Sequence, residues 1–102
     1  MDLTGEWDVT IKTPIGSMAV LYVFTESDGA LAGSATLKDD TVVLDELAVT
    51  GTRVTWRQSV TKPMRLHLEF DVLIDGDWLS GHSRAGRLPR SAVTGIRRSG
   101  RY

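Results

Sequence analysis

Hydrophobic and polar residues alternate with a period of two along most of this chain. Trp7, Val9 and Ile11 alternate with Glu6, Asp8, Thr10 and Lys12. Val54, Trp56, Gln58 and Val60 alternate with Thr55, Arg57 and Ser59. Met64, Leu66, Leu68, Phe70, Val72 and Ile74 alternate with Arg65, His67, Glu69 and Asp71. Such alternation marks strands with one buried and one solvated face. The pattern predicts eight strands, at about 6–13, 17–26, 30–37, 41–50, 53–60, 64–75, 78–84 and 91–98.

The breaks between these runs carry turn chemistry. Asp28-Gly29 and Asp75-Gly76 are Asp-Gly pairs between alternating segments, a strong hairpin signal. Thr13–Gly16, Lys38–Asp40, Thr61–Pro63 and Ala85–Pro89 are polar or Gly/Pro-containing breaks, and Gly51 separates the fourth and fifth runs. Connections this short make sequence neighbours pair antiparallel as a meander. With one wet face per strand and no helix to cover the other, the expected fold is all-β. It is a single-domain, eight-stranded, antiparallel up-and-down barrel, whose closure removes exposed edges. Gly33 and Gly81, each two residues after an inward Leu, are expected where a strand bends or a side chain approaches closely.

The first strand opens with Gly5-Glu6-Trp7, a G-x-W motif, and the last carries Gly95-Ile96-Arg97. Together these resemble the calycin superfamily of lipocalins, fatty-acid-binding proteins and avidins. The resemblance implies that Trp7 lies inside the closed end of the barrel and that Arg97 packs across it. It also implies a small molecule bound in the lumen. Lipocalins are longer and usually carry a flanking helix and a disulfide, and fatty-acid-binding proteins have a two-helix lid. This chain looks like a minimal calycin-like barrel without either.

The phase of the strands selects the interior. Alternation turns Trp7, Val9, Ile11, Met18, Val20, Tyr22 and Phe24 inward, with Leu31, Ala35, Leu37, Leu47, Val49 and Val54. Further along the chain it adds Trp56, Gln58, Met64, Leu66, Leu68, Phe70, Leu79, Ser83 and Val93. An interior this rich in large side chains is either filled or holds one small ligand. The candidate ligand-binding residues are Tyr22, Trp56, Gln58, Met64, Met18, Leu66 and Ser83. Tyr22 can donate a hydrogen bond or, in a barrel enzyme of isomerase or cyclase type, a proton. Alternatively Tyr22 and Gln58 bond to each other across the barrel. The loops after the first, third, fifth and seventh strands form the mouth, and their basic residues outnumber the acidic ones, which favours a carboxylated ligand.

The rest of the composition narrows the partners. Twelve Lys and Arg stand against thirteen Asp and Glu in 102 residues, a net charge of −1 with no basic stripe, which argues against nucleic acid. No apolar run is long enough to span a bilayer as a helix. No secretory leader is visible and there is no Cys, so a cytoplasmic protein without disulfides is expected. His67 and His82 fall on outer faces without a third ligand at metal-site spacing, so neither a metal nor another cofactor is expected. His67, Glu69 and Asp71 read as the solvated face of a strand. Ala19, Leu21 and Val23, beside Ala30 and Ala32, form an apolar outer stripe that suggests a homodimer through the second and third strands. Three readings remain. The chain is a binder of a small hydrophobic molecule, a small enzyme using Tyr22, or a protein-interaction or inhibitor module.

Overall fold

Nine strands form one antiparallel sheet among the described residues. They are β1 (Gly5–Thr13), β2 (Gly16–Ser27), β3 (Ala30–Leu37), β4 (Asp40–Val43), β5 (Asp45–Thr50), β6 (Arg53–Val60), β7 (Leu66–Asp75), β8 (Trp78–Ala85) and β9 (Ser91–Arg97). The computed structural model describes residues 3–13, 16–38, 40–60 and 66–98 and, within them, every side chain but those of Thr13, Val60 and Leu66. The sheet order is β4-β3-β2-β1-β9-β8-β7-β6-β5. Its two outermost strands, β4 and β5, are consecutive in the chain with only Leu44 between them. The sheet therefore curls into an up-and-down barrel that is nearly closed. No helix long and apolar enough to cross a membrane occurs among the described residues.

The ninth strand arises because the fourth run breaks. Val42-Val43-Leu44-Asp45-Glu46 interrupts the alternation. Leu44 turns into the core, at 7% exposure, and its N–H donates to the Gly33 carbonyl at 2.9 Å. Glu46 adopts φ 51°, and the pairing with β6 slips between Asp45 and Ala48. The slip is a bulge, which inserts a residue and shifts the side-chain phase. Val49 pairs with the buried Val54 and so shares its inward face as expected, yet it is 40% exposed on this outermost strand. Beyond Arg57, strand β6 has no partner on its β5 side among the described residues, so the wall is open there.

The Asp28-Gly29 hairpin has the expected conformation. Both residues have positive φ, 54° and 79°, as a turn matching the twist of its flanking strands requires. The inward glycines sit where the barrel is tightest. A Cβ on Gly33 would come within 2.9 Å of Leu44 and Phe24, which cover it. A Cβ on Gly81 would stand 2.1 Å from the Asp71 carbonyl oxygen of β7, so the two backbones meet too closely for any side chain.

The core comprises most of the inward set, including Trp7, Val9, Ile11, Tyr22, Phe24, Val54, Trp56, Phe70, Leu79 and Val93. Val72 and Ile74, in phase on β7, belong to it, as do Leu3 and Leu44, which strand phase alone did not select. At one end Trp7 is fully buried, and its indole N–H donates to the Leu3 carbonyl at 3.0 Å. The Arg97 guanidinium lies over its ring, 4.4 Å from the centroid. Arg97 also donates to the Thr4 carbonyl and to Asp77 at 2.9 Å. The first and last strands are thereby joined over one stacked pair, and this end of the barrel is shut.

Candidate functional site

Five of the chain's seven aromatic residues lie in the core, and four of them form a plug across the middle of the barrel. Trp56 and Phe70, cross-strand partners on β6 and β7, stack with centroids 4.9 Å apart and planes at 10°. Tyr22 of β2 meets them from the opposite wall, edge-on to Trp56 at 5.3 Å and to Phe70 at 6.1 Å. Phe24 completes the group, 5.8 Å from Trp56. Offset and edge-to-face arrangements of this kind are the favourable ones for aromatic quadrupoles.

The polar groups at this plug are tied together. The Tyr22 hydroxyl donates to Gln58 Oε1 at 2.8 Å, and Trp56 Nε1–H donates to the same oxygen at 3.3 Å. An indole N–H can only donate. The Gln58 atom it meets is therefore the oxygen, and the Tyr22 proton points to Gln58. Burial raises the Tyr22 pKa well above the ordinary phenol value, while the hydrogen bonds with Gln58 and Trp56 pull it back only in part. Tyr22 is thus a weak acid whose proton is already placed.

That arrangement orients the rest of Gln58. Its amide nitrogen has no acceptor among the described residues, yet no fully buried side-chain nitrogen or oxygen there lacks a partner. The nitrogen therefore reaches solvent, although the residue as a whole is only 6% exposed. The same holds for the Ser83 hydroxyl, in a residue 3% exposed. Both side chains point inward. Gln58 also lines a cleft of about 440 Å³ beside the end of β6 that has no β5 partner among the described residues, with Asp45, Arg57, Ser59 and Leu68, while Ser83 lies towards the mouth half, away from the shut Trp7 end. Met18, 37% exposed, stands towards that mouth, in phase with Tyr22. Leu37 and Leu68 are half-buried against the core. Met64 lies outside the described residues, and Leu66 enters only through its pairing with Val60. Beside the aromatic plug, the inward side chains of Gln58 and Ser83 thus carry an amide donor and a hydroxyl with no partner among the described residues.

The outer wall of β6–β8 is chemically different. Arg53 makes a two-point contact with Asp71, at 2.9 and 2.5 Å, which holds the Asp71 carboxyl below the usual range. Arg57 lies between Glu46 and Glu69, and His67 shares a hydrogen bond with Ser59 at 3.0 Å. His67, Glu69 and Asp71 therefore each face a neighbour on β6. No cluster of His, Asp or Glu able to hold a metal ion occurs among the described residues. A groove of about 560 Å³ runs along this wall, lined mainly by charged side chains. Arg84, which lines it, was not among the residues singled out from the sequence. The signal available was an Arg at an outward position two residues from His82.

Comparison with known proteins found no matching family model, and no curated protein or solved structure that matches the chain.

Replacing Tyr22 by Phe deletes one oxygen and little shape. Gln58 Oε1 keeps the Trp56 donor, so the expected loss is small for a buried bond, about 1 kcal/mol by chemical denaturation.

Proposed function

We propose that this barrel binds a small hydrophobic molecule headed by a carbonyl or carboxylate, lodged in the mouth half of the lumen above the aromatic plug. The observation that carries this reading is Gln58. Its oxygen is used twice within the protein, while its amide donors stay available in a nearly buried position. Keeping a polar group among aliphatic side chains is costly unless it is bonded. A ligand oxygen accepting from the Gln58 amide would complete the set; Ser83, on β8 in the Trp56–Phe70 row, is a separate hydroxyl further round the wall. Tyr22 and Trp56 act here as positioning residues that fix which way the Gln58 amide faces. Met18, Leu37 and Leu68 supply the apolar wall.

The Trp7–Arg97 stack, the meander and the nearly closed wall support a calycin-like relationship, in which lumen binding is the usual activity. The enzyme reading, with Tyr22 as proton donor, is less favoured because that proton is given to Gln58 and held more tightly than in a free phenol.

Titration with decanoate, followed by Trp fluorescence and calorimetry, tests the reading. Saturable binding is expected, with decanol weaker than decanoate. Gln58→Glu keeps oxygen acceptors for Tyr22 and Trp56 but removes the donors and adds negative charge. Decanoate binding is expected to fall at least about tenfold, the cost of losing one charge-assisted hydrogen bond. Absence of saturable binding to the native protein, or undiminished binding to a folded Gln58→Glu variant, contradicts the reading.

A separate observation favours self-association. The outer faces of β2, β3 and β4 are free of charge over the cross-strand rows Leu21–Thr36–Thr41 and Val23–Ser34–Val43, and Val43 is 69% exposed. A homodimer through this face would cover it. Leu21→Glu is then expected to give monomer in sedimentation velocity where the native chain is dimeric. A native chain that sediments as a monomer at high concentration ends that proposal.

A further inference from the structure

The groove on the outer wall of β6–β8 contains an imbalance that the fold itself leaves unanswered. Its three acids are all engaged: Asp71 by Arg53, and Glu46 and Glu69 by Arg57. Two more guanidinium groups, of Arg84 and Arg90, line the same groove, and no carboxylate among the described residues pairs with either. The register sets them side by side. Ser83 pairs with Ser91, so Arg84 on β8 and Arg90, one residue before β9, follow each other across the β8–β9 connection. Glu69 is the cross-strand partner of Arg84 on β7, yet its carboxylate lies 3.5 Å from Arg57 instead. Like charges set next to each other across a sheet repel, and no described carboxylate forms an ion pair with either guanidinium.

We propose that Arg84 and Arg90, with His82 beside them, form a binding site for a phosphoryl oxyanion on the outer wall of the barrel. His82 lies two residues from Arg84 on the same face and lines the same groove. Each guanidinium presents a rigid fork of N–H donors suited to paired oxygens. Two forks and an imidazole match a group with three or four acceptor oxygens better than a single carboxylate. The adjacent acids are already engaged, Asp71 with Arg53 and Glu46 and Glu69 sharing Arg57. Neighbouring Asp71 and Glu69 also set a limit on the charge a ligand can bring, which favours one phosphoryl group over a polyanion. The site lies on the other face of β8 from Ser83, and neither Arg84 nor Arg90 lines the cleft at Gln58. The anion is either free inorganic phosphate or the end of a phosphomonoester.

Titrating the full chain with inorganic phosphate and with phenyl phosphate, at ionic strength held constant with sodium chloride, tests this. In ¹H–¹⁵N spectra the expected result is saturable shifts confined to the amides around His82, Arg84 and Arg90 and to the Nε–H signals of the two Arg. Equal responses to both probes assign the site to a phosphoryl group in general. A response to inorganic phosphate alone assigns it to the free anion. Arg84→Gln and Arg90→Gln are each expected to weaken binding at least about tenfold. Arg98→Gln, beyond the other end of β9 and paired with Asp8, is expected to leave it unchanged. These are substitutions at exposed positions, and the spectra themselves report whether the fold is kept. Shifts that grow linearly with concentration over cationic residues in general overturn the proposal, as do shifts untouched by Arg84→Gln and Arg90→Gln.

Discussion

Trp7→Ala is expected to destabilise the barrel by about 3–5 kcal/mol, the range for truncating a large buried aromatic, read as a shift in urea midpoint at constant slope. Three losses combine at this one position. The fully buried indole fills the shut end, so its removal opens a cavity there. The Leu3 carbonyl loses its donor, and Leu3 itself is core. Arg97 loses the ring beneath it, an interaction of roughly 0.5–2 kcal/mol. Arg97→Lys should cost much less, since Lys keeps the charge over the ring but not the fork that reaches Asp77 and the Thr4 carbonyl. A Trp7→Ala variant with an unchanged midpoint would show that β1 and β9 are not locked through this pair.

Gly81→Ala is the second large effect. A single added methyl carbon would lie 2.1 Å from the Asp71 carbonyl oxygen and 2.6 Å from the Val72 Cα, both backbone atoms of the neighbouring strand. No side chain can swing away to make room. Strands β7 and β8 must separate locally, breaking ladder bonds at Val72↔Gly81. Overpacking usually costs 1–3 kcal/mol, and a clash with backbone belongs at about 3 kcal/mol or above. Gly33→Ala is expected to be milder, because the methyl meets the side chains of Leu44 and Phe24, which can shift. Thermal melts of the two variants side by side check the order. A Gly81→Ala protein as stable as Gly33→Ala would contradict the close approach.

Much of this architecture is legible in the sequence because period-two alternation and turn chemistry act locally. The phase of β1, β6 and β7 follows from residues such as Trp7-Asp8-Val9 and Leu68-Glu69-Phe70. Each inward residue there is buried or half-buried in the described structure. The break at Leu44 is harder to read. A non-glycine residue at φ 51° follows from no local preference of Glu, and the bulge is fixed by closure of the barrel, which brings β5 against β6. The tell-tale was three consecutive apolar residues followed by two acids. Leu3 escaped because it precedes the first strand and is recruited by the Trp7 indole.

The candidate site divides in the same way. Inward phase selects Tyr22, Trp56, Gln58 and Ser83 from sequence alone. Which atoms bond to which depends on rotamers and on the distance across the lumen, and these are not local. Only the structure assigns the Tyr22 proton to Gln58 and frees the amide nitrogen. Arg84 and Arg90 are separated by the β8–β9 connection, and their unanswered charge emerges only once Glu46, Glu69 and Asp71 are seen to be occupied.

The side-chain amide of Gln58 is where lumen binding is read most directly. Its two N–H signals should move in a ¹H–¹⁵N spectrum as decanoate is added, saturating with the same midpoint as the calorimetric titration. The Trp56 indole N–H should stay close to its starting position, because its bond to Gln58 Oε1 is kept. Gln58 signals that stay still while decanoate saturates another set of residues would contradict the account, as would a titration that moves nothing.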